Sequence, residues 1–123
     1  MGCRFGGGMM LPVKRGDIWL VNLDPTIGHE INKSRPAVII QNDIGNKYSP
    51  VTIIAPITSH NTERIYPIEV LLSSGNTGIE KTSKVLLNQI RAVDQRRLIK
   101  RIGTVNEEII EKIDEAIRIS LKV

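Results

Sequence analysis

Arg35 is the residue whose type and setting best suit chemistry. It stands in the run Ser34-Arg35-Pro36, between the polar stretch Asp24–Ser34 and the apolar stretch Pro36–Gln41. That order predicts one guanidinium fixed at a strand entrance beneath a polar loop that can act as a lid. A planar guanidinium grips two phosphate oxygens at once, which suits holding and straining a phosphodiester. An ordinary surface pairing with a carboxylate is the competing account.

Thr58 and Ser59 come next. They end the apolar run VTIIAPI, where it gives way to ITSHNTER. A hydroxyl at a strand end bonds a phosphate oxygen or a neighbouring nucleophile. A simple Ser/Thr turn is the alternative. The histidines are His29 and His60. Two imidazoles can run general acid–base cleavage of RNA, but both sit in polar loops and spacing alone does not bring them together. Asn88, Gln89 and Arg91 interrupt an otherwise apolar run. Amides there can read base edges or bond neighbouring backbone.

Other chemistries lack their parts. No GxxxxGK[ST] loop, GxGxxG, HExxH or GxSxG is present. The single Cys3 forms no intrachain disulfide and offers no cysteine metal site. No metal or other cofactor is expected. RNA carries its own nucleophile, the 2′-OH. An enzyme acting on it has only to align that group, stabilise the phosphorane and assist proton transfer.

The elements that must position these residues are mostly strands. Runs rich in Ile and Val predict strands at Asp17–Leu23, Pro36–Gln41, Val51–Ile57, Tyr66–Leu72 and one long strand Lys84–Val93. Pro36 is tolerable only at a strand start or on an edge. Asp94 is expected to cap a short helical turn through Leu98 and Ile99, stopped near Gly103. Thr104 with Glu107, or Asn106 directly, caps a final helix with Ile109, Ile110, Ile113, Ala116, Ile117 and Leu121 on one face. Short strands followed by a helix predict a small, mainly β, barrel-like sheet with a C-terminal helix.

The 123 residues suit one domain with a modest aliphatic core, since aromatics make up only 3%. Residues 1–10 read as a flexible leader, with Met9 or Met10 as a possible start, and 11–123 as a single domain. The leader lacks the apolar stretch of a signal peptide, and no run reaches transmembrane length. A cytoplasmic location without membrane contact is expected. Formal net charge is +4, but residues 106–123 hold five acids and three bases, so the body is more basic than the whole. A basic body suits a polyanion, or merely a solvated surface.

The blocks KRGDIWLVNLDPTIGHE, SRPAVIIQNDIGN, IAPITS and VLLNQIRAVDQRRL, in this order, resemble the MazF/PemK/Kid toxins of bacterial toxin–antitoxin modules over about residues 13–121. The resemblance implies an SH3-like β-barrel of the MazF/CcdB-like plasmid maintenance toxin type, acting as a homodimer. It implies a sequence-specific endoribonuclease, an mRNA interferase that cuts single-stranded mRNA without metal. The products would be a 2′,3′-cyclic phosphate and a 5′-hydroxyl. The implied partner is a small acidic MazE-like antitoxin, through which alone operator DNA would be met.

By position, Arg35 matches the family's catalytic arginine and Thr58 its catalytic threonine, with Ser59 assisting. Tyr66 and Gln89 match base-contacting positions, and Asn88 lies beside them. His29, Glu30 and Lys33 fall in the loop that would cover RNA. Two rival readings are a CcdB-like gyrase-binding toxin and a non-catalytic RNA- or protein-binding barrel. The first would use an apolar or aromatic C-terminal tip, whereas this chain ends Ser120-Leu121-Lys122-Val123.

Overall fold

The computed structural model describes residues 12–23, 34–75 and 77–123. Among these residues seven strands and two α-helices follow in the order β1 (Asp17–Asn22), β2 (Ser34–Ile39), α1 (Asp43–Tyr48), β3 (Val51–Thr58), β4 (Glu69–Leu72), β5 (Ser83–Leu86), β6 (Arg91–Asp94), β7 (Leu98–Thr104) and α2 (Glu107–Leu121). All strand pairings are antiparallel, in the spatial order β4-β5-β3-β2-β1-β7, with β6 also on β3. Among the described residues this barrel-like sheet is not closed, since β4 and β7 end the path.

Successive side chains along a strand face opposite sides, so the apolar central strands feed two cores. Ile18, Val38, Ala55, Val85 and Leu87 join Ile113 and Ala116 of α2 in one. Trp19, Val21, Ala37, Ile39, Ile54, Val93 and Leu98 fill the other. α2 is capped before its start by Asn106, whose side chain accepts from the Ile109 N–H at 2.8 Å, and after its end by Lys122 in the left-handed region (φ 61°). Ile113 and Ala116 bury fully, while Leu121, expected on the same face, is exposed at the last turn. An Arg15–Asp114 ion pair ties the helix to the start of β1.

β3 is the hub of the sheet. Val51–Ile54 pair with β6 and Ile57–Thr58 with β5, while Ala55 and Pro56 have no partner on that side. Pro56 therefore costs no ladder bond. Pro36 is inside β2 rather than at its start, opposite Leu20. Pairing of β2 with β3 begins only at Ala37, so at Pro36 one side of the strand is an edge.

Four expectations need correction. Lys84–Val93 is not one strand. The register against β3 slips by three residues between β5 and β6, and the turn Leu87–Ile90 takes up the slip. Its Gln89 N–H bonds the Leu86 carbonyl at 3.2 Å. The strand expected from Tyr66 starts at Glu69, because the Glu69 N–H closes a turn onto the Tyr66 carbonyl at 2.9 Å.

The helical turn after Asp94 is only Gln95–Arg97, a 3-10 turn. Leu98–Thr104 instead extends as β7 along β1. The Asp94 side chain caps that turn, and its bond to Arg96 holds the carboxyl below its ordinary 3.8. Last, α1 occupies the stretch between the expected strands Pro36–Gln41 and Val51–Ile57, where no helix was expected. It holds Gly45 and no apolar repeat. Polar bonds from elsewhere fix it instead: the Thr52 hydroxyl donates to Asn46 at 2.6 Å, and the Gln95 amide to the Asn46 carbonyl at 2.9 Å.

Candidate active site

One cavity of about 480 Å³ opens where β1, β2, β3 and β7 meet the segment leading into β5. Arg35 and Pro36 come from β2, Thr58 from the end of β3, and Ser59 and His60 from the residues that follow. The segment Gly78–Lys81 forms another wall, and Lys100 of β7 another. The first candidates thus converge although they are far apart in sequence.

The ladder explains the convergence. β2 lies between β1 and β3, and Arg35 pairs with Val21 on β1. β2 runs antiparallel to β3, so the beginning of β2 lies beside the end of β3. Arg35 is exposed, and among the described residues its guanidinium has no ion pair or hydrogen bond. The carboxylate pairing that competed with the phosphate reading is not formed there. The Thr58 hydroxyl oxygen accepts from the His60 N–H at 3.2 Å, which leaves its proton to donate elsewhere. Asn61 follows in the left-handed region (φ 54°), turning the chain back after His60.

The cavity is cationic. Arg35, Lys81 and Lys100 line it against the single carboxylate Glu80. Lys81 and Lys100 were not singled out in the sequence. Only their placement on the cavity wall distinguishes them from the other lysines. His60 also joins the wall. His29 lies outside the described residues, as do Glu30 and Lys33, so the paired-histidine arrangement has no geometry here.

The wall of Gly78–Lys81 is set by a close backbone crossing. A Cβ on Gly103 would overlap the Thr77 carbonyl oxygen, and one on Gly78 (φ +87°) would lie 2.5 Å from the Ile102 carbonyl oxygen. Only glycines let the two chains approach this far.

Tyr66, Asn88 and Gln89 do not line the cavity. All three are exposed, Asn88 and Gln89 on the turn between β5 and β6 rather than within a strand. The Leu87 N–H bonds the Ile68 carbonyl at 3.0 Å, which sets that turn beside the segment carrying Tyr66. β5 connects the two regions: Ser83 lines the cavity, Lys84 pairs with Thr58, and Leu86 pairs with Glu69. Among the described residues no cluster of three or more His, Cys, Asp or Glu side chains offers a metal site.

An antiparallel, barrel-like sheet with one C-terminal helix and a cationic cavity of arginine and hydroxyl groups defines a class that comparison makes specific. The chain belongs to the PemK-like, MazF-like toxins of type II toxin–antitoxin systems, whose family model matches residues 14–121. It is 42% identical over 109 residues to Endoribonuclease EndoA of Bacillus subtilis, covering 89% of this chain and 94% of that protein.

Its fold matches MazF from Deinococcus radiodurans with a TM-score of 0.74 at 23% identity, covering 93% of this chain and 100% of that one. It also matches a mycobacterial endoribonuclease in complex with its cognate antitoxin, with a TM-score of 0.73 at 19% identity, covering 89% and 95%. The family and fold read from the four sequence blocks are borne out.

Proposed function

We propose that the protein is the toxin of a type II toxin–antitoxin module and an endoribonuclease that cuts single-stranded mRNA by transesterification at the cavity of Arg35 and Thr58. The observation that carries this reading is the convergence of Arg35, Thr58, Ser59 and His60 with Lys81 and Lys100 on one cavity, in a chain similar to an endoribonuclease.

The RNA 2′-oxygen attacks the adjacent phosphorus. The bond from phosphorus to O5′ breaks, leaving a 2′,3′-cyclic phosphate and a 5′-hydroxyl. Negative charge grows on the non-bridging oxygens in between. The Arg35 guanidinium faces that charge with two parallel donors. Arginine holds its proton too firmly to serve easily as the base, so its role is electrostatic. The Thr58 hydroxyl donates to a phosphate oxygen or relays a proton, and Ser59 assists. His60 stands on the same wall with a group able to take or give a proton. Lys81 and Lys100 draw the phosphate chain in.

Tyr66, Asn88 and Gln89, with the loop residues His29, Glu30 and Lys33, meet the flanking bases. The chain acts as a homodimer in the cytoplasm, restrained by an acidic MazE-like antitoxin that competes for the same cationic surface. Among the described residues no helix is long and apolar enough to cross a membrane.

The test is cleavage of a long single-stranded RNA by purified protein in EDTA, with Arg35→Ala alongside. Discrete cuts ending in cyclic phosphate, absent in the variant, are expected. Intact RNA, or activity restored only by Mg²⁺, overturns the mechanism.

A further inference from the structure

Lys84 has a buried ammonium whose partners all belong to the segment between Thr58 and the start of β4. Its side chain is 6% exposed and pairs with Glu69, itself 10% exposed, at 2.9 Å. Its Nζ also donates to the Arg64 carbonyl at 3.3 Å. The same Glu69 oxygen accepts from the Tyr66 N–H at 3.0 Å, and the Glu69 N–H returns a bond to the Tyr66 carbonyl at 2.9 Å. One carboxylate oxygen therefore joins Lys84 to the backbone of Tyr66. The Lys84 ammonium also lies 5.9 Å from the centre of the Tyr66 ring, at the outer reach of a cation–π contact.

A buried ion pair is a weak device for stability. Desolvating two charges offsets most of their attraction, and apolar residues of like volume commonly serve a core as well. What the pair supplies is position. It fastens the backbone at Arg64 and Tyr66 to the β5 residue that pairs with Thr58. It leaves Tyr66 half in solvent, 49% exposed as a residue, in a chain with only four aromatic residues. A held, open aromatic residue, tied through Lys84 to the strand that carries the cavity residue Ser83, fits an unpaired base, which single-stranded RNA presents and a duplex does not.

We propose that Lys84 and Glu69 are positioning residues for substrate selection. Their buried ion pair fixes Tyr66 as the stacking platform for a base flanking the cleaved phosphodiester. The proposal rests on the endoribonuclease reading above. Ser83 on the cavity wall and Lys84 under restraint by Glu69 are consecutive on β5, so platform and cavity keep one spacing.

The test begins by mapping the cuts that wild-type protein makes in a long single-stranded RNA. A short oligonucleotide spanning one cut then serves for kinetics with Tyr66→Ala, Lys84→Met, the apolar pair Lys84→Met/Glu69→Met, and that pair combined with Tyr66→Ala. The apolar pair leaves no buried charge, so it decides the matter even if Lys84→Met alone unfolds. The pair is expected to raise KM about tenfold, the size of one lost stacking contact, with kcat little changed and the melting temperature retained.

In the Tyr66→Ala background the pair adds nothing further to KM. An unchanged KM, a loss confined to kcat, or a full additional loss in the Tyr66→Ala background overturns the proposal while leaving RNA cleavage standing. Wild-type protein that leaves the RNA intact overturns the endoribonuclease reading, and this one with it.

Discussion

At the residue scale the cavity depends on Arg35 being charged, held by its backbone in the ladder with Val21, and uncommitted at its guanidinium. Nothing among the described residues competes for its guanidinium, so its removal changes the cavity without breaking a pairing that supports the fold. Arg35→Ala is expected to lower kcat by about a hundredfold or more, the usual consequence of losing a donor aimed at developing charge. Unfolding free energy should stay within about 0.5 kcal/mol. Arg35→Lys should recover little, because an ammonium is a point charge without the two parallel donors. Single-turnover cleavage beside urea denaturation checks both statements. A variant that loses activity and fold together makes Arg35 structural. Thr58→Ala should behave likewise, since the hydroxyl is partly exposed and only accepts a backbone bond from His60.

At the element scale the decisive contact is the crossing of residues 77–78 over β7. The cavity wall from Gly78 to Lys81 has its place because Gly103 and Gly78 carry no Cβ. Gly103→Ala forces a methyl into the Thr77 peptide, where backbone and not a pliable side chain must yield. A cost of about 1–3 kcal/mol is expected, seen as a lower urea midpoint. Cleavage at temperatures where the variant stays folded should fall as well, because the displaced segment carries Lys81. Full activity in a destabilised but folded Gly103→Ala protein would show that this wall plays no part in catalysis.

At the scale of the whole molecule, charge governs the encounter with RNA. The formal net charge is +4, and three cations face the cavity against one carboxylate. Binding of a non-cleavable 2′-O-methyl RNA should weaken steeply with salt, by a slope of about −0.7 per phosphate met on a logarithmic plot. Lys81→Gln and Lys100→Gln should each reduce that slope by about 0.7, with the melting temperature unchanged. Fluorescence anisotropy across a salt series measures it. A slope untouched by both substitutions would place the RNA elsewhere on the surface.

The sequence by itself determined the strand segments at β1, β2 and β3, the final helix with Asn106 as one of two caps offered, and the family. These follow from local chemistry and period: β-branched runs, a helical repeat of apolar residues, a capping side chain, and short blocks that keep their order. It also brought forward Arg35, Thr58 and Ser59, because a Ser-Arg-Pro entrance and a hydroxyl pair after an apolar run are visible in one dimension.

Tertiary structure alone decided the rest. The break between β5 and β6 depends on how two segments register against β3, a long-range choice that an apolar run from Lys84 to Val93 does not display. α1 is held by bonds from Thr52 and Gln95 rather than by its own periodicity. Leu98–Thr104 became a strand because β1 offered an edge, overriding the helical turn begun at Asp94. Lys81, Lys100 and Lys84 look alike in sequence. Two line a cavity and one is buried against Glu69, since the role of a charge is set by what the fold brings within a few ångströms of it.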